Sequence, residues 1–311
     1  MLLHEHLENG ADKNPNFPFS EFEGNSLSYQ EANLLSNQLA NKLVSEGLEV
    51  GDRFAFLAKN CTEMAIMYYA ASKVGAVPVP LNYRLADQEW AYIINDSEAK
   101  LIIVKGNEYS DRINQISSEL KNIKKYISIS LDESIERFHD FYDWLSDSSN
   151  EKPTLKIQEN NDVYQMYTSG TTGHPKGAVL LQRNVAANIR QYLNSLTLPR
   201  PSRTLLVAPM YHAAAMINMC GCIAIGGTIV IQEDFIPQDV VDCLANEKIT
   251  HTVLVPAMIQ ACLVSVPNVS SNEYNDLDQI HYGASPIAPE TLKKAMDVFK
   301  CKFGQGFGMT E

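Results

Sequence analysis

The chain has 311 residues, of which 45% are apolar and 20% charged, the values of a globular protein with room for one large or two ordinary domains. Its formal net charge of −12 argues against a nucleic-acid partner. The six cysteines lack the paired spacing of a zinc site or a disulfide framework, so we expect free thiols in a cytoplasmic protein.

The first predicted helix begins at a capping box. Ser28 occupies the N-cap and Glu31 lies three residues on, so each side chain can bond the backbone N–H of the other residue. Leucines then recur at near-helical spacing, and Gly47 supplies a stop. Strands and helices alternate beyond it, in the order strand 54–58, helix 62–74, strand 77–79, helix 89–95, strand 101–104, strand 163–167, helix 183–196, strand 204–208, helix 238–246, strand 252–255, helix 257–264, strand 280–282 and helix 289–298.

This alternation predicts an α/β protein whose largely parallel sheets are joined by helical crossovers. The polar segment 143–161 is the best candidate for a linker, because serines, asparagines and a proline follow one another there. We therefore predict a first α/β subdomain at 1–152 and a second at 153–311.

Residues 167–177 read YTSGTTGHPKG and follow a predicted strand. Glycines allow positive φ and close approach to a ligand, and successive backbone N–H groups can form an anion-binding concavity. Lys176 adds a compact positive charge that suits phosphate, whereas we interpret His174 as incidental. One or two of the hydroxyls can instead cap the loop's own backbone. The run predicts a polyphosphate-binding loop with contacts from Thr168, Ser169, Gly170, Thr171, Thr172, Gly173 and Lys176.

The run departs from the common phosphate loop, whose pattern G-x-x-x-x-G-K-[ST] ends in a lysine followed by a hydroxyl residue. Counted from Gly170, the second glycine position holds Pro175, and Gly177 follows the lysine. The hydroxyl that would bind magnesium is therefore missing, which disfavours a kinase or GTPase of that type. The alternative to a phosphate site is a surface loop rich in serine, threonine and glycine.

The nineteen residues 213–231 carry no charge, and their length alone would suffice for a membrane-spanning helix. Asn218, Gly221 and the pair Gly226–Gly227 interrupt this stretch. We therefore expect a buried helix, a glycine turn and a buried strand. The small residues at its start, together with Gly221, hint at room for a ligand.

Four segments, in order, resemble the motifs of the adenylate-forming enzymes: acyl- and aryl-CoA synthetases, luciferases and peptide-synthetase adenylation domains. The phosphate-loop run is the first. Pro209-Met210-Tyr211-His212 resembles the P-x-[FY]-H segment, 282–286 resembles the G-G-A-P-like loop, and 306–311 resembles G-Y-G-x-T-E. The resemblance extends over the whole chain at the level of its organisation, and it implies two stacked α/β subdomains.

The resemblance implies a role for each motif. Lys176 would contact the β- and γ-phosphates of ATP, and His212 would lie near the acyl substrate. Thr310 would contact the α-phosphate, and Glu311 would help to hold Mg²⁺, although a residue at the end of a chain is often frayed. Phe307 would stack on the adenine or, alternatively, fill a core. The other nucleotide contacts implied are Gly283, Ala284, Ser285, Pro286, Gly306 and Gly308.

The last of these motifs ends at Glu311, whereas members of the family continue beyond it. The resemblance thus implies an N-terminal portion without the small C-terminal domain that carries the catalytic lysine. We expect this chain alone to make little or no thioester. Exposed apolar surface could also make it self-associate, and a homodimer is left open.

For the intact protein the resemblance implies an AMP-forming acid–thiol ligase. A carboxylic acid, fatty or aryl, would react with ATP and Mg²⁺ to give an acyl-AMP, and coenzyme A would accept the acyl group. The uncharged wall 213–223 suits an apolar acid. Members of the family that activate amino acids usually carry an aspartate near this place for the substrate ammonium, so the resemblance, with no aspartate in 211–219, disfavours an amino acid. Two alternatives stay open: another adenylate-forming ligase, acylating a carrier protein or resembling a luciferase, and a non-catalytic nucleotide-binding module.

Overall fold

The computed structural model describes residues 1–130, 135–168, 173–195 and 201–311. The strands in these ranges are β1 Pro18–Phe22, β2 Asn25–Ser28, β3 Arg53–Leu57, β4 Val77–Leu81, β5 Leu101–Lys105, β6 Lys125–Ile129, β7 Phe138–Asp140, β8 Asp162–Thr168, β9 Lys176–Leu181, β10 Arg203–Leu206, β11 Thr228–Ile231, β12 His251–Val253, β13 Gln279–Gly283 and β14 Lys302–Gly306. The helices are α1 Leu3–Lys13, α2 Tyr29–Ser45, α3 Thr62–Val74, α4 Asp87–Asp96, α5 Asn107–Gln115, α6 Phe141–Leu145, α7 Gln182–Ser195, α8 Ala213–Ala224, α9 Pro237–Asn246, α10 Pro256–Ser265 and α11 Pro289–Phe299.

Two parallel sheets and one hairpin organise these elements. Sheet A has seven strands in the order β14-β13-β12-β10-β11-β1-β2, and only β1 and β2 pair in antiparallel fashion. Sheet B has five parallel strands in the order β4-β3-β5-β6-β7. The strands β8 and β9 form a separate antiparallel hairpin, whose β8 packs against β4. The predicted α/β class with largely parallel sheets is thereby confirmed.

Sheet A is buried on both faces. Successive side chains of a strand point to opposite faces, so one strand can contribute to two apolar cores. Leu206, Ile229 and Ile231 point into one apolar core, while Leu205 and Val230 point into the other. The larger core joins sheet B, α1, α2, α3 and α8 to the first face. The smaller core joins α9, α10 and α11 to the second face. Strands buried on both sides read as continuous apolar runs, which is how β11 appears in the sequence.

The capping box at the start of α2 is confirmed. The Ser28 N–H donates to Oε2 of Glu31 at 2.8 Å, and the Glu31 N–H donates to Oγ of Ser28 at 3.2 Å. The helix at 62–74 has the predicted bounds and ends at Gly75, whose φ of 72° lies in the left-handed region that favours glycine. Local sequence signals therefore determine both helices of this region.

The segment 143–161, predicted as a linker, begins inside α6 and then has no helix or strand up to β8. Side chains of α2 hold its backbone: Asn37 donates to the carbonyl of Asn150 at 3.0 Å, and Asn41 donates to the carbonyls on either side of that residue at 2.8 Å. The division at residue 152 stays a prediction, and sheet membership crosses it, since β1 pairs with β11.

The uncharged stretch 213–231 forms the predicted helix, glycine turn and strand. The helix α8 ends before Gly226, which has a φ of 76°, and β11 follows inside sheet A. Within the described ranges, no helix has the combination of length and hydropathy needed to cross a bilayer.

A histidine buried in sheet A should make stability depend on pH. His251 on β12 is fully buried, and burial, with a smaller contribution from the charge of His281, lowers its pKa from 6.5 to about 3. Below pH 6.5 His251 binds a proton in the unfolded chain but not in the folded protein, so the free energy of unfolding falls as the pH falls. This one group should remove about 2 kcal/mol of the free energy of unfolding between pH 7 and pH 5.

Urea unfolding of wild type and His251→Leu at the two pH values measures this contribution. The substitution should reduce the loss of stability on acidification by about 2 kcal/mol, whatever its effect at pH 7. Ile280→Val, at a fully buried position on the neighbouring strand β13, is the control, because it lowers stability without removing a titrating group. An unchanged pH dependence in His251→Leu would refute the assignment.

Candidate functional site

The predicted polyphosphate loop joins the two strands of the β8–β9 hairpin. Thr168, the last residue of β8, pairs with Lys176, the first residue of β9. Gly173 has a φ of 114°, which a residue with a β-carbon rarely adopts. The side chain of Lys176 is exposed at this end of the hairpin. The predicted contacts Ser169, Gly170, Thr171 and Thr172 lie outside the described residues.

Two side chains of β8 cross the hairpin directly at Gly177. Gly177 pairs with Tyr167 across the strands. A β-carbon at this position would overlap the amide nitrogen of Gln165 and would lie 2.9 Å from Cζ of Tyr167. The last glycine of the motif therefore makes room for the tyrosine that begins it.

The segment after β10 is held by side chains from the larger core. Asn60 accepts a hydrogen bond from the N–H of Met210 at 2.8 Å, and the Tyr68 hydroxyl donates to the carbonyl of Met210 at 3.1 Å. The N–H of His212 donates to the carbonyl of Pro209 at 3.0 Å, which closes a turn. His212 is then the N-cap residue of α8. The sequence analysis did not single out Asn60 or Tyr68.

The imidazole of His212 is open to solvent on one side and lies against Tyr211, with ring centroids 4.4 Å apart. The surrounding protein still removes part of its hydration, and this burial, aided by the positive charge of Arg84, lowers the pKa of His212. Arg84 is itself paired with Asp234 at 3.2 Å. At neutral pH the ring is therefore mostly uncharged and can donate or accept a hydrogen bond.

The two motifs predicted at the adenine leave sheet A side by side. Gly283 ends β13 and pairs with Gly306, which ends β14. A β-carbon on Gly283 would overlap the carbonyl oxygen of Gly306, so the close approach of the strands requires glycine. Ala284 follows with a φ of 66°. Phe307 is 97% exposed, so it fills no core among the described residues, and its stacking on adenine stays a prediction.

One cleft of about 330 Å³ brings together residues from three of the four motifs. Thr168 comes from the hairpin, His212 from the turn before α8, and Thr310 from the segment after β14. Lys176, the loop 283–286, and the exposed residues Phe307 and Glu311 do not belong to its lining. The cleft is lined by Pro80, Asn82, Leu85, Glu89, Ile93, Met166, Tyr167, Thr168, Pro175, Tyr211, His212, Ala213 and Thr310.

Part of this lining comes from sheet B and was not expected from the sequence. Pro80 and Asn82 lie at the carboxyl end of β4, and Glu89 and Ile93 lie on the helix α4 that follows. Ligands of open parallel sheets bind beyond the carboxyl ends of strands. Applied to β4 as well as to the motif-bearing strands, that rule would have indicated these residues.

The small residues of α8 divide between the cleft and the core. Ala213 lines the cleft, whereas Gly221 is covered by Tyr192 of α7, because a β-carbon there would lie 2.5 Å from Cδ1 of that ring. The Tyr192 hydroxyl donates to Oδ1 of Asn218 at 2.8 Å. The space at Gly221 is thus filled by a tyrosine, which contradicts the hint that it leaves room for a ligand.

Among the described residues, no group of three or more histidine, cysteine or acidic side chains could hold a metal ion. Magnesium is commonly bound by one or two carboxylates together with phosphate oxygens. The exposed carboxylate of Glu311, beside Thr310, therefore suits a magnesium ion that arrives with a nucleotide. The cysteines are free, as predicted, and burial raises the pKa of each thiol: Cys61, Cys220, Cys222, Cys243, Cys262 and Cys301.

Comparison with known proteins agrees with this geometry. The chain is 30% identical over 307 residues to the fatty acid–[acyl-carrier-protein] ligase ScoC of Streptomyces coeruleorubidus, covering 97% of this chain and 57% of that protein. It is 30% identical over 289 residues to a feruloyl-CoA synthase of an Amycolatopsis species, covering 93% and 55%. The inhibitor-bound N-terminal domain of FACL13 from Mycobacterium tuberculosis superimposes with a TM-score of 0.90 at 25% identity, covering 100% of this chain and 76% of that one.

The chain spans little more than half the length of these curated relatives. The family model described as AMP-binding enzyme matches residues 7–311, a range that contains all four motifs. Together with the shared fold, this match confirms the resemblance drawn from the motifs. The chain belongs to the AMP-binding enzyme family, in which its relatives are acyl-CoA and acyl-carrier-protein ligases.

Proposed function

We propose that the chain is the N-terminal part of an AMP-forming acid–thiol ligase that activates a carboxylic acid with an apolar acyl group. The convergence of Thr168, His212 and Thr310 on one cleft carries this proposal. Three sequence motifs that are far apart along the chain meet there, at a site with room for a small molecule. A surface loop rich in serine and threonine gives no reason for such convergence.

In the first half-reaction, a carboxylate oxygen of the acid attacks the α-phosphorus of ATP, the bond to the β-phosphate breaks, and pyrophosphate leaves. The protein positions the two substrates and offsets the negative charge. Lys176 at the end of the hairpin would contact the β- and γ-phosphates, and Thr168 and Thr310 would donate hydrogen bonds to the phosphate chain. Glu311 would hold a Mg²⁺ ion, which supplies positive charge to the phosphate oxygens.

The acid would lie against the apolar residues of the cleft. Leu85, Ile93, Met166 and Ala213 belong to this lining. His212 lines the same cleft, and its uncharged imidazole can hydrogen-bond the carboxylate without adding charge to an apolar site. Fatty and aryl acids, the kinds that the names of the relatives specify, have this chemistry.

In the second half-reaction, a thiol sulfur attacks the acyl carbon and AMP leaves. Coenzyme A is the acceptor that we propose, and a carrier protein is the second candidate because one relative at 30% identity is an acyl-carrier-protein ligase. Both acceptors present the same kind of thiol, so the cleft itself favours neither. AMP release by the intact protein, measured with each acceptor in turn, separates the two.

Lys176→Ala should weaken ATP binding about 10- to 100-fold, because a hydrogen bond to a charged group contributes about 1.5–3 kcal/mol. AMP lacks the phosphates that the lysine would contact, so its affinity should stay unchanged. Calorimetric titration with each nucleotide in the presence of Mg²⁺ measures both affinities. Lys156→Ala removes the same charge from an exposed position outside the cleft and serves as the control. If the affinities for ATP and AMP fall equally, Lys176 does not contact the β- and γ-phosphates.

His212→Ala should affect the acyl end of the site alone. An unreactive acyl-AMP mimic with an apolar acyl group should bind the wild type more tightly than AMP does, since the acyl chain buries apolar surface in the cleft. The substitution should reduce that gain about 3- to 10-fold, the value of one hydrogen bond, and leave the affinity for ATP unchanged. If the mimic binds no better than AMP, or if the variant loses ATP affinity instead, the assignment of His212 fails.

A further inference from the structure

The helix α4 contacts the phosphate hairpin at two points one helical turn apart. The hydroxyl of Tyr167, on β8, donates to Oδ2 of Asp96 at 2.6 Å. The ring of Tyr92 stacks on that of His174, in the turn before β9, with centroids 4.8 Å apart and planes inclined by 22°. The Tyr92 hydroxyl also points to the carbonyl of Pro175 at 3.4 Å. Residues four apart share one face of a helix, so a single face holds both arms of the hairpin.

A second row of hydrogen bonds connects the hairpin with the strand β3. Gln165, which is 7% exposed, donates from Nε2 to the Tyr167 hydroxyl at 3.0 Å. Its Oε1 accepts from Nε of Arg53 at 3.2 Å, and Arg53 is in turn paired with Asp162 at 3.4 Å. Gln165 and Tyr167 lie two residues apart on β8 and thus share one face of the strand. Arg53 begins β3, so the row joins the hairpin to sheet B.

The Tyr167 hydroxyl is the junction of these contacts, because it accepts from Gln165 and donates to Asp96. Burial, together with the hydrogen bond to Asp96, raises the pKa of Tyr167, so the phenol keeps its proton. The hydroxyl has one proton, which it donates to the carboxylate of Asp96, and a carboxylate is a strong acceptor. These two hydrogen bonds restrain the Tyr167 ring, which lies across Gly177.

We propose that Tyr167, Asp96 and Tyr92 are positioning residues, which hold the hairpin so that Thr168 and Lys176 meet the phosphates of a nucleotide. Tyr167 and Thr168 are neighbours on β8, and their partners Gly177 and Lys176 are neighbours on β9. A rotation of the hairpin stem therefore moves both phosphate-contacting residues together. This inference rests on the proposed function of the hairpin in binding ATP.

The experiment compares affinities for ATP and AMP in Tyr167→Phe and Asp96→Ala. Each variant should bind ATP about 3- to 10-fold more weakly, the value of one hydrogen bond, and should bind AMP as the wild type does. General destabilisation would lower both affinities, so the ratio of the two is the diagnostic quantity. Tyr126→Phe, at a buried tyrosine on β6 whose ring packs edge-on against Phe138, is the matched control and should leave the ratio unchanged.

A ring substitution tests the second contact point. Tyr92→Leu removes the stack on His174 and should lower the ATP affinity by a similar factor, whereas Tyr92→Phe keeps the stack and should retain most of the affinity. If Tyr92 had only a structural role, Tyr92→Leu would lower the affinities for ATP and AMP alike, and the ratio of the two would not change.

Hydrogen exchange of the chain without nucleotide tests positioning independently of ATP. Amides of β9 should exchange faster in Tyr167→Phe than in the wild type, with those of β13 unchanged as an internal control. If β9 exchange and the affinity ratio both stay at wild-type values while Lys176→Ala weakens ATP binding, the positioning role is refuted and the proposed function stands. If no variant and no wild-type sample binds ATP, the proposed function fails, and unchanged β9 exchange would then refute the positioning role as well.

Discussion

Parallel strand pairing brings together the strand ends from which much of the cleft of this protein is built. In sheet A it places the carboxyl ends of β13 and β14 beside each other, in register from Gln279 with Lys302 to Gly283 with Gly306. The same sheet directs β10 towards the turn that ends in His212, while sheet B contributes Pro80 and Asn82 from the carboxyl end of β4. Backbone hydrogen bonds therefore make the motifs that follow β13 and β14 neighbours in space, whereas the phosphate motif reaches the cleft through the packing of the separate β8–β9 hairpin on β4.

Elements with strong local signals could be predicted from the sequence. The capping box of Ser28 and Glu31, the glycine after α3 and the turn at Gly226 each act within a few residues, and the structure has them where the sequence places them. The strands β3, β5 and β11 are short apolar runs, whose side chains are all removed from water only inside a sheet that is buried on both faces. For such segments, local preference and tertiary environment favour the same conformation.

Other elements depend on distant partners, and sequence reasoning did not find them. The strand β14 contains two glycines in five residues and is a strand because β13 supplies its hydrogen bonds. The strand β1 is set by β11, and Glu21 on it receives two hydrogen bonds of 2.8 Å from Arg203. Within the site, the motifs indicated the phosphate loop and His212 but not the strand β9, and Tyr92 and Asp96 look like ordinary surface residues of a helix. Only the folded arrangement of α4 against the hairpin distinguishes them.

The hairpin itself explains why such partners are needed. A two-stranded hairpin is marginally stable at best in water, and in the part of the chain that the structure describes, β8 and β9 pair only with each other. It is nevertheless the element that presents Lys176, whose electrostatic contribution depends on its distance from the phosphates. Packing of β8 on β4 fixes the inner strand, but β9 is the outer strand and carries the lysine. The stack of Tyr92 on His174 lies directly before β9, and the Tyr167 ring lies across Gly177 within it. Contacts from α4 therefore restrain the strand that the β4 packing leaves least supported, which is the strand on which the proposed phosphate contact depends.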